Sequence, residues 1–212
     1  MLLGPEREEL AFYARRLGGD GLAIGTAGNL SIRRGDALAI TPSGVPYEQL
    51  KPELIAIVKL DGEVLEAEAE TEPSVELPLH LAVYETTAAA AVVHTHSAAA
   101  TAVGTVVDEL PAVHYLVAEL GGPIRVVPYT LPGTAKLAES IVTALTGRSA
   151  ALLRNHGAVT VGESLDVAYS RALLLEWLSD VWCRAQAAGD PALIPNEELE
   201  RLADLVAAYR RR

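Results

Sequence analysis

Cysteine is nearly absent from this 212-residue chain, where Cys183 stands alone. One thiol excludes an internal disulfide framework, so packing and hydrogen bonds must hold the fold, and a reducing, intracellular compartment is expected. Positive charge is also scarce. Lys plus Arg number 17 against 28 Asp plus Glu, a formal net charge of -11 at pH 7. No block of Lys or Arg supplies the clustered charge that a nucleic-acid footprint or an anionic membrane surface requires, so neither partner is expected. Long apolar runs are missing too. The longest, from Thr87 to Val93, falls well short of the ~18 residues that suggest a membrane span. Met1 to Arg7 has no basic stretch leading into an apolar segment, which makes cytoplasmic placement the expectation.

What is present is a core. Half the residues are hydrophobic, enough for a single domain of this size to bury roughly 70% of its unfolded-chain surface. The chain shows no internal repeat, low-complexity tract or Pro/Ser linker, so one domain over residues 1–212 is the simplest organisation. Leu10, Tyr13, Ala14 and Leu17 make an apolar stripe on a helix from Pro5 to Leu17, stopped by Gly18-Gly19. Short strands are expected at Leu22–Ile24, Leu30–Ile32 and Ala37–Thr41. Asp61-Gly62 marks a hairpin between Ile55–Val58 and Glu63–Leu65.

Helices are then expected at Val75–Thr86, with Ser74 as N-cap, and at Ser97–Val106, Val113–Leu120 and Thr134–Leu145. A long one follows from Ser164 to about Ala187, and a last one from Asn196 to Arg212. Strands at Ala91–His94, Ile124–Val127, Ala150–Leu153 and Ala158–Val161 complete an α/β pattern in which helices flank a central, mostly antiparallel sheet.

Three of the five histidines lie in two short motifs. His94-Thr95-His96 follows the apolar strand Ala91–Val93. In an extended segment residues i and i+2 share a side, so both imidazoles can reach one point, either as metal ligands or as two hydrogen-bonded polar groups at a strand end. Asn155-His156-Gly157 also follows an apolar strand, and the glycine permits close backbone approach, which suits a third ligand as well as a turn. Three convergent histidines suit zinc. Glu76 is the nearby carboxylate, a candidate for an exchangeable metal position, although a glutamate there also complements a helix dipole. His80, four residues on, is a rival ligand or a packing and supporting histidine. His114 beside Tyr115 is similarly open. Gly25-Thr26-Ala27-Gly28-Asn29 and Thr41-Pro42-Ser43-Gly44 are small-residue turns rich in hydroxyls and backbone N–H groups, able to cradle a phosphate without cationic side chains.

These motifs, in the order Gly25–Asn29, Ile40–Tyr47, Pro73–Glu76, Val92–His96, Pro111–Tyr115, Gly121-Gly122 and Asn155–Gly157, resemble the class II aldolase and adducin head family from about Gly21 to Arg184, and more loosely to Tyr209. The resemblance implies a three-layer αβα fold and a zinc held by His94, His96 and His156, another divalent metal being possible. It casts Glu76 as a ligand that substrate displaces and that then acts as base. It also implies a phosphate pocket of Thr26, Gly28, Asn29, Ser43, Gly44 and Ser74, and a C4-symmetric homotetramer with sites between subunits. Tyr115 and Tyr209 match tyrosines that handle the aldehyde oxygen. The implied reaction is reversible cleavage of a ketose 1-phosphate, such as L-fuculose 1-phosphate, to dihydroxyacetone phosphate and an aldehyde such as lactaldehyde.

Two positions depart from the fuculose-type members: Val75 stands where they have a second serine, and Leu77 where they have a bulky aromatic. The same fold hosts dehydratases, decarboxylases and a 4-epimerase. Epimerase-type members carry Thr-His-Ala-Asp where this chain has Ala112-Val113-His114-Tyr115, which disfavours epimerisation. A non-catalytic adducin-like interaction module should have lost the metal ligands, and here all four candidates are present.

Overall fold

The computed structural model describes residues 1–69 and 71–202. Its strands are β1 (Asn29–Arg34), β2 (Ala37–Ile40), β3 (Ala56–Lys59), β4 (Val64–Glu66), β5 (Ala91–Thr95), β6 (Glu109–Leu110), β7 (Ile124–Val127), β8 (Ala150–Leu153) and β9 (Gly157–Gly162). They form one sheet in the order β4-β3-β2-β1-β5-β9-β8-β7-β6. Only β7 and β8 run parallel; the other neighbours pair antiparallel.

Helices α1 (Gly4–Arg16), α2 (Leu77–Thr86), α3 (Ala98–Val106), α4 (Ala135–Ala144) and α5 (Leu165–Ala188) cover both faces. Side chains alternate along each strand, and the alternation builds separate cores. Leu30, Ile32, Ala39 and Val93 pack under α1 and the first half of α5. The same layer continues through Ala150, Leu152 and Ala158 under α3 and the second half of α5. Leu38, Ile40, Val92 and Val159 point the other way, against α2 and α4. The result is a three-layer αβα arrangement around a mostly antiparallel sheet. Among the described residues no helix is long and apolar enough to cross a membrane.

Several expected elements form with small boundary shifts. The Asp61-Gly62 turn joins β3 to β4, with Gly62 at φ 93° and Asp61 accepting from the Glu63 amide. Thr134 and Ser164 cap α4 and α5 through their side-chain oxygens.

Others differ. Leu22–Ile24 is not a strand: the Leu22 and Ala23 amides both donate to the Leu17 carbonyl, so the chain wraps over the end of α1, burying Leu22 and leaving Ile24 exposed. Only the Leu22 carbonyl reaches the sheet region, accepting from the His96 amide. The segment 113–120 forms a 3-10 helix from Tyr115 to Leu120, with His114 as its N-cap. α2 begins at Leu77 rather than Val75, because Val75 and Glu76 are occupied in a turn in which the Leu77 amide reaches back to the Ser74 carbonyl. Ser74 therefore accepts from the Glu76 amide instead of capping the helix. Residues 196–202 are helical, and the rest of the expected C-terminal helix, including Tyr209, lies outside the described residues.

Candidate metal and catalytic site

Strand alternation decides which side chains meet. Asn29 and Ser31 on β1, and His94 on β5, lie on the face covered by α2. Asn29 pairs in register with His94, and His94 with Val159 on β9. The tight β8–β9 turn brings His156 to the same end of the sheet. Asn155 takes the left-handed conformation there, at φ 56°, and a Cβ added at Gly157 would lie 2.0 Å from the Thr95 carbonyl oxygen. Only glycine lets β9 approach β5 so closely.

The ligand atoms of Glu76, His94, His96 and His156 all lie within 4.8 Å of one another. His94 Nε2 is 2.9 Å from His96 Nε2 and 2.9 Å from Glu76 Oε2, while His156 Nε2 is 3.4 Å from Glu76 Oε1. His94 Nδ1 lies 2.9 Å from the Ala158 carbonyl oxygen. A carbonyl only accepts, so Nδ1 carries the proton and the Nε2 lone pair faces the cluster.

That lone pair meets a carboxylate oxygen and another imidazole nitrogen, and Glu76 Oε1 is buried without a hydrogen-bond partner among the described residues. Electron pairs converge with too few protons between them. A divalent cation satisfies all four donors, and three imidazoles with one carboxylate suit zinc.

The electrostatics agree with that donor set. Burial, reinforced by His94, pushes His96 down to about 3. His156 is pushed below the usual histidine range by the same two causes. Burial would raise the Glu76 carboxyl, but the adjacent His94 ring, the hydrogen bond from Asn29 and the nearby His156 ring hold it well below the usual carboxylate range. His96 and His156, held neutral beside an ionised carboxylate, need lose no proton to bind a cation.

Three small-residue turns adjoin Glu76. The Ser74 amide donates to the Thr41 carbonyl, the Val75 amide donates to Ser43 Oγ at 3.0 Å, and Ser43 Oγ donates to the Pro73 carbonyl. The Tyr47 hydroxyl holds the third turn, donating to the Gly28 carbonyl at 2.6 Å. Gly28, at φ 90°, lies so close to β5 that an added Cβ would be 2.7 Å from the His94 carbonyl oxygen. Thr26 and Gly44 are exposed at this end of the sheet. Asn29 commits its side chain to Glu76 and His80.

Tyr115 is not among the clustered groups. It is 54% exposed, with its ring against His114, which also meets Trp177 edge-to-face. His114 Nδ1 accepts from the Leu116 amide, a capping role. Val75 is exposed and offers no hydroxyl, and Leu77 packs against the α2–α4 core.

Glu176 has no signal in the local sequence, because its partners are distant. Both its oxygens accept at 2.8 Å from the Ala99 and Ala100 amides, closing the N-terminus of α3 just after His96. Nor is the chain of buried polar groups behind Glu76 visible from spacing to any single residue.

Replacing Gly157 with alanine tests the close approach. The added methyl forces β9 from β5, at a cost of about 3 kcal/mol, the upper end for overpacking, and Tm falls by roughly 6–12 °C for a chain of this size. Thermal unfolding together with bound metal should both decline, since His156 moves with the turn; an unchanged Tm would mean the turn yields freely.

An αβα sheet protein with a three-histidine, one-carboxylate cluster at its strand ends is of the metal-centre enzyme type. The class II aldolase and adducin N-terminal domain model matches residues 8–183. A 5-deoxy-D-ribulose 1-phosphate aldolase of Bacillus thuringiensis serovar kurstaki is 39% identical over 212 residues, 99% of each chain. An L-fuculose phosphate aldolase of Escherichia coli K12 is 37% identical over 180 residues, covering 84% of this chain and 82% of that one. A solved L-fuculose 1-phosphate aldolase superposes with a TM-score of 0.93 at 34% identity, covering 98% of both chains. The chain belongs to the class II aldolase and adducin N-terminal domain family, and within it is a metal-dependent aldehyde-lyase.

Proposed function

We propose that this aldolase reversibly cleaves a ketose 1-phosphate between C3 and C4 to dihydroxyacetone phosphate and an aldehyde. The observation that carries the reading is the position of Glu76, whose free Oε1 faces the histidine cluster while its backbone sits between the turns at Ser43 and Ser74. A base and the small-residue turns that would receive a phosphate therefore share one end of the sheet. Thr26, Gly28, Asn29, Ser43, Gly44 and Ser74 form that cradle in this reading, through hydroxyls and backbone N–H groups. This local binding answers the charge of -11, since no cationic patch is required.

His94, His96, His156 and Glu76 would hold zinc, Glu76 being the ligand that substrate displaces. Bound there, the metal supplies Lewis-acid stabilisation of the negative charge that develops on the substrate's carbonyl oxygen. In the synthetic direction Glu76 takes a proton from C3 of dihydroxyacetone phosphate, and the electron pair left on C3 forms the new bond to the aldehyde carbon. The aldehyde oxygen receives its proton from a tyrosine hydroxyl, assigned to Tyr115 or Tyr209. Tyr115 is exposed and is not one of the clustered groups of its own chain, and in this reading it serves a neighbouring subunit's site in a C4-symmetric homotetramer. The whole chain acts as one domain, in the cytoplasm, where its single cysteine stays reduced.

The two curated relatives are named for 5-deoxy-D-ribulose 1-phosphate and L-fuculose phosphate. Both sugars end in a methyl group. The first relative matches nearly the full length of both chains, so we place a 5-deoxypentulose 1-phosphate, yielding acetaldehyde, ahead of L-fuculose 1-phosphate.

Incubation with 5-deoxyribulose 1-phosphate, fuculose 1-phosphate, methylthioribulose 1-phosphate and ribulose 5-phosphate, with products identified by mass spectrometry, tests this directly. Dihydroxyacetone phosphate and an aldehyde should appear from the 1-phosphates. Xylulose 5-phosphate, or water loss with the carbon chain intact, would transfer the chain to the epimerase or dehydratase reading.

A further inference from the structure

Glu76 at the N-cap of α2, and His80 and Tyr84 within it, stand four residues apart on one stripe, opposite Asn29 and Ser31 of β1. The five side chains join in one line of hydrogen bonds. Tyr84 Oη and Ser31 Oγ are 2.7 Å apart, Ser31 Oγ and His80 Nδ1 2.6 Å, His80 Nε2 and Asn29 Oδ1 2.5 Å, and Asn29 Nδ2 and Glu76 Oε2 3.0 Å. All five are buried, Ser31 and His80 completely.

The direction of every bond follows from the last. An ionised carboxylate only accepts, so Asn29 presents Nδ2 to Glu76 and Oδ1 to His80. Oδ1 also only accepts, so His80 carries its proton on Nε2 and leaves Nδ1 bare. Nδ1 takes the Ser31 hydroxyl proton, and Ser31 Oγ then accepts from Tyr84. Burial, with His94 adding, pushes His80 down to about 3, so it holds a single proton at neutral pH. An apolar core of the same shape would be about as stable as such a buried network. What the polar one adds is a fixed amide orientation at Asn29.

We propose that His80 is a positioning residue: by locking the Asn29 amide it keeps Glu76 Oε2 occupied as an acceptor and leaves Oε1 as the oxygen that exchanges the proton with substrate C3. This rests on the reading of Glu76 as base. Without His80 the amide is free to turn, setting Oδ1 against Oε2, where two acceptors repel and the carboxylate swings off line. His80 makes none of these bonds to the histidine cluster, and of the cradle residues it meets Asn29 alone, through the amide oxygen.

The test compares His80→Leu and His80→Gln in the metal-loaded enzyme for kcat, KM and bound metal, and reads the tautomer of His80 in the metal-free wild type by two-bond 1H–15N histidine spectra at pH 7. Expected is an Nε2–H tautomer. His80→Leu should lose about 10–100-fold in kcat, the usual effect of removing a partner behind a working ligand, with KM and metal content nearly unchanged. His80→Gln, whose amide nitrogen restores a donor to Asn29, should recover most of that loss. An Nδ1–H tautomer, an unaltered kcat in His80→Leu, or equal losses in the Leu and Gln variants would overturn the positioning role. Should His80→Leu fail to fold, the tautomer and the Gln variant decide. A wild type that cleaves no ketose 1-phosphate would instead remove the reading of Glu76 as base, whereas the tautomer spectrum needs no activity.

Discussion

Replacing Glu76 with glutamine should lower kcat by at least about 10²-fold, and toward ~10⁴-fold, the range that a positioned general base contributes. The substitution keeps the shape. Its amide oxygen can still accept from Asn29 Nδ2, which now meets Glu76 Oε2 at 3.0 Å, so the fold behind the site is undisturbed. What disappears is the acceptor at Oε1, which is buried with no hydrogen-bond partner among the described residues. His94, His96 and His156 would remain to hold the metal. Steady-state kinetics beside metal analysis checks this: activity lost with metal retained supports the base, and metal lost along with activity leaves that role without support.

Stripping the metal with a chelator should abolish turnover, and zinc should restore it. Stability should fall as well. A ligand bound at 1,000 times its Kd stabilises the native state by ~4 kcal/mol, which for a chain of this size corresponds to a Tm change of roughly 8–16 °C. The physical cause is local. Without a cation the His94 Nε2 lone pair would meet Glu76 Oε2 and His96 Nε2, and the cluster would have too few protons to bond all of them. Calorimetry of the chelated and reconstituted protein measures the shift; full activity and an unchanged Tm after chelation would contradict a working metal at these residues.

Much of the site was legible because short-range geometry carries it. The i, i+2 spacing of His94 and His96 on an apolar strand, and His156 before a glycine after another, follow from strand alternation alone. The structure shows why the glycine is needed, in the 2.0 Å between a Cβ at Gly157 and the Thr95 carbonyl oxygen.

What was not legible depends on partners far away in the chain. Leu22–Ile24 has the composition of a strand, yet the Leu17 carbonyl captures its amides and turns it over α1. Glu176 reads as one more acidic residue on a long helix, and only the packing of α5 against α3 makes it the cap at Ala99 and Ala100. Asn29 reads as a residue of a small-residue turn, and its local spacing does not show where its side chain goes. Its register opposite His94 on β5, and the stripe of Glu76, His80 and Tyr84 on α2, give its side chain a different set of neighbours. Ser74 has the look of an N-cap, but the turn at Val75 and Glu76 moves the start of α2 to Leu77 and puts Glu76 at the cap position beside the histidines. Tyr115 lies beside His114 rather than in the cluster, a placement that no local spacing announces.

The measurement closest to the central claim is proton NMR of dihydroxyacetone phosphate incubated with the metal-loaded enzyme in D2O, with no aldehyde present. It isolates the half-reaction shared by every ketose 1-phosphate aldolase, whatever the aldehyde. If Glu76 removes a C3 proton beside a cation held by His94, His96 and His156, one of the two C3 hydrogens is replaced by deuterium, and Glu76→Gln shows no replacement. Retention of both hydrogens by a folded, metal-loaded wild-type enzyme would contradict the account.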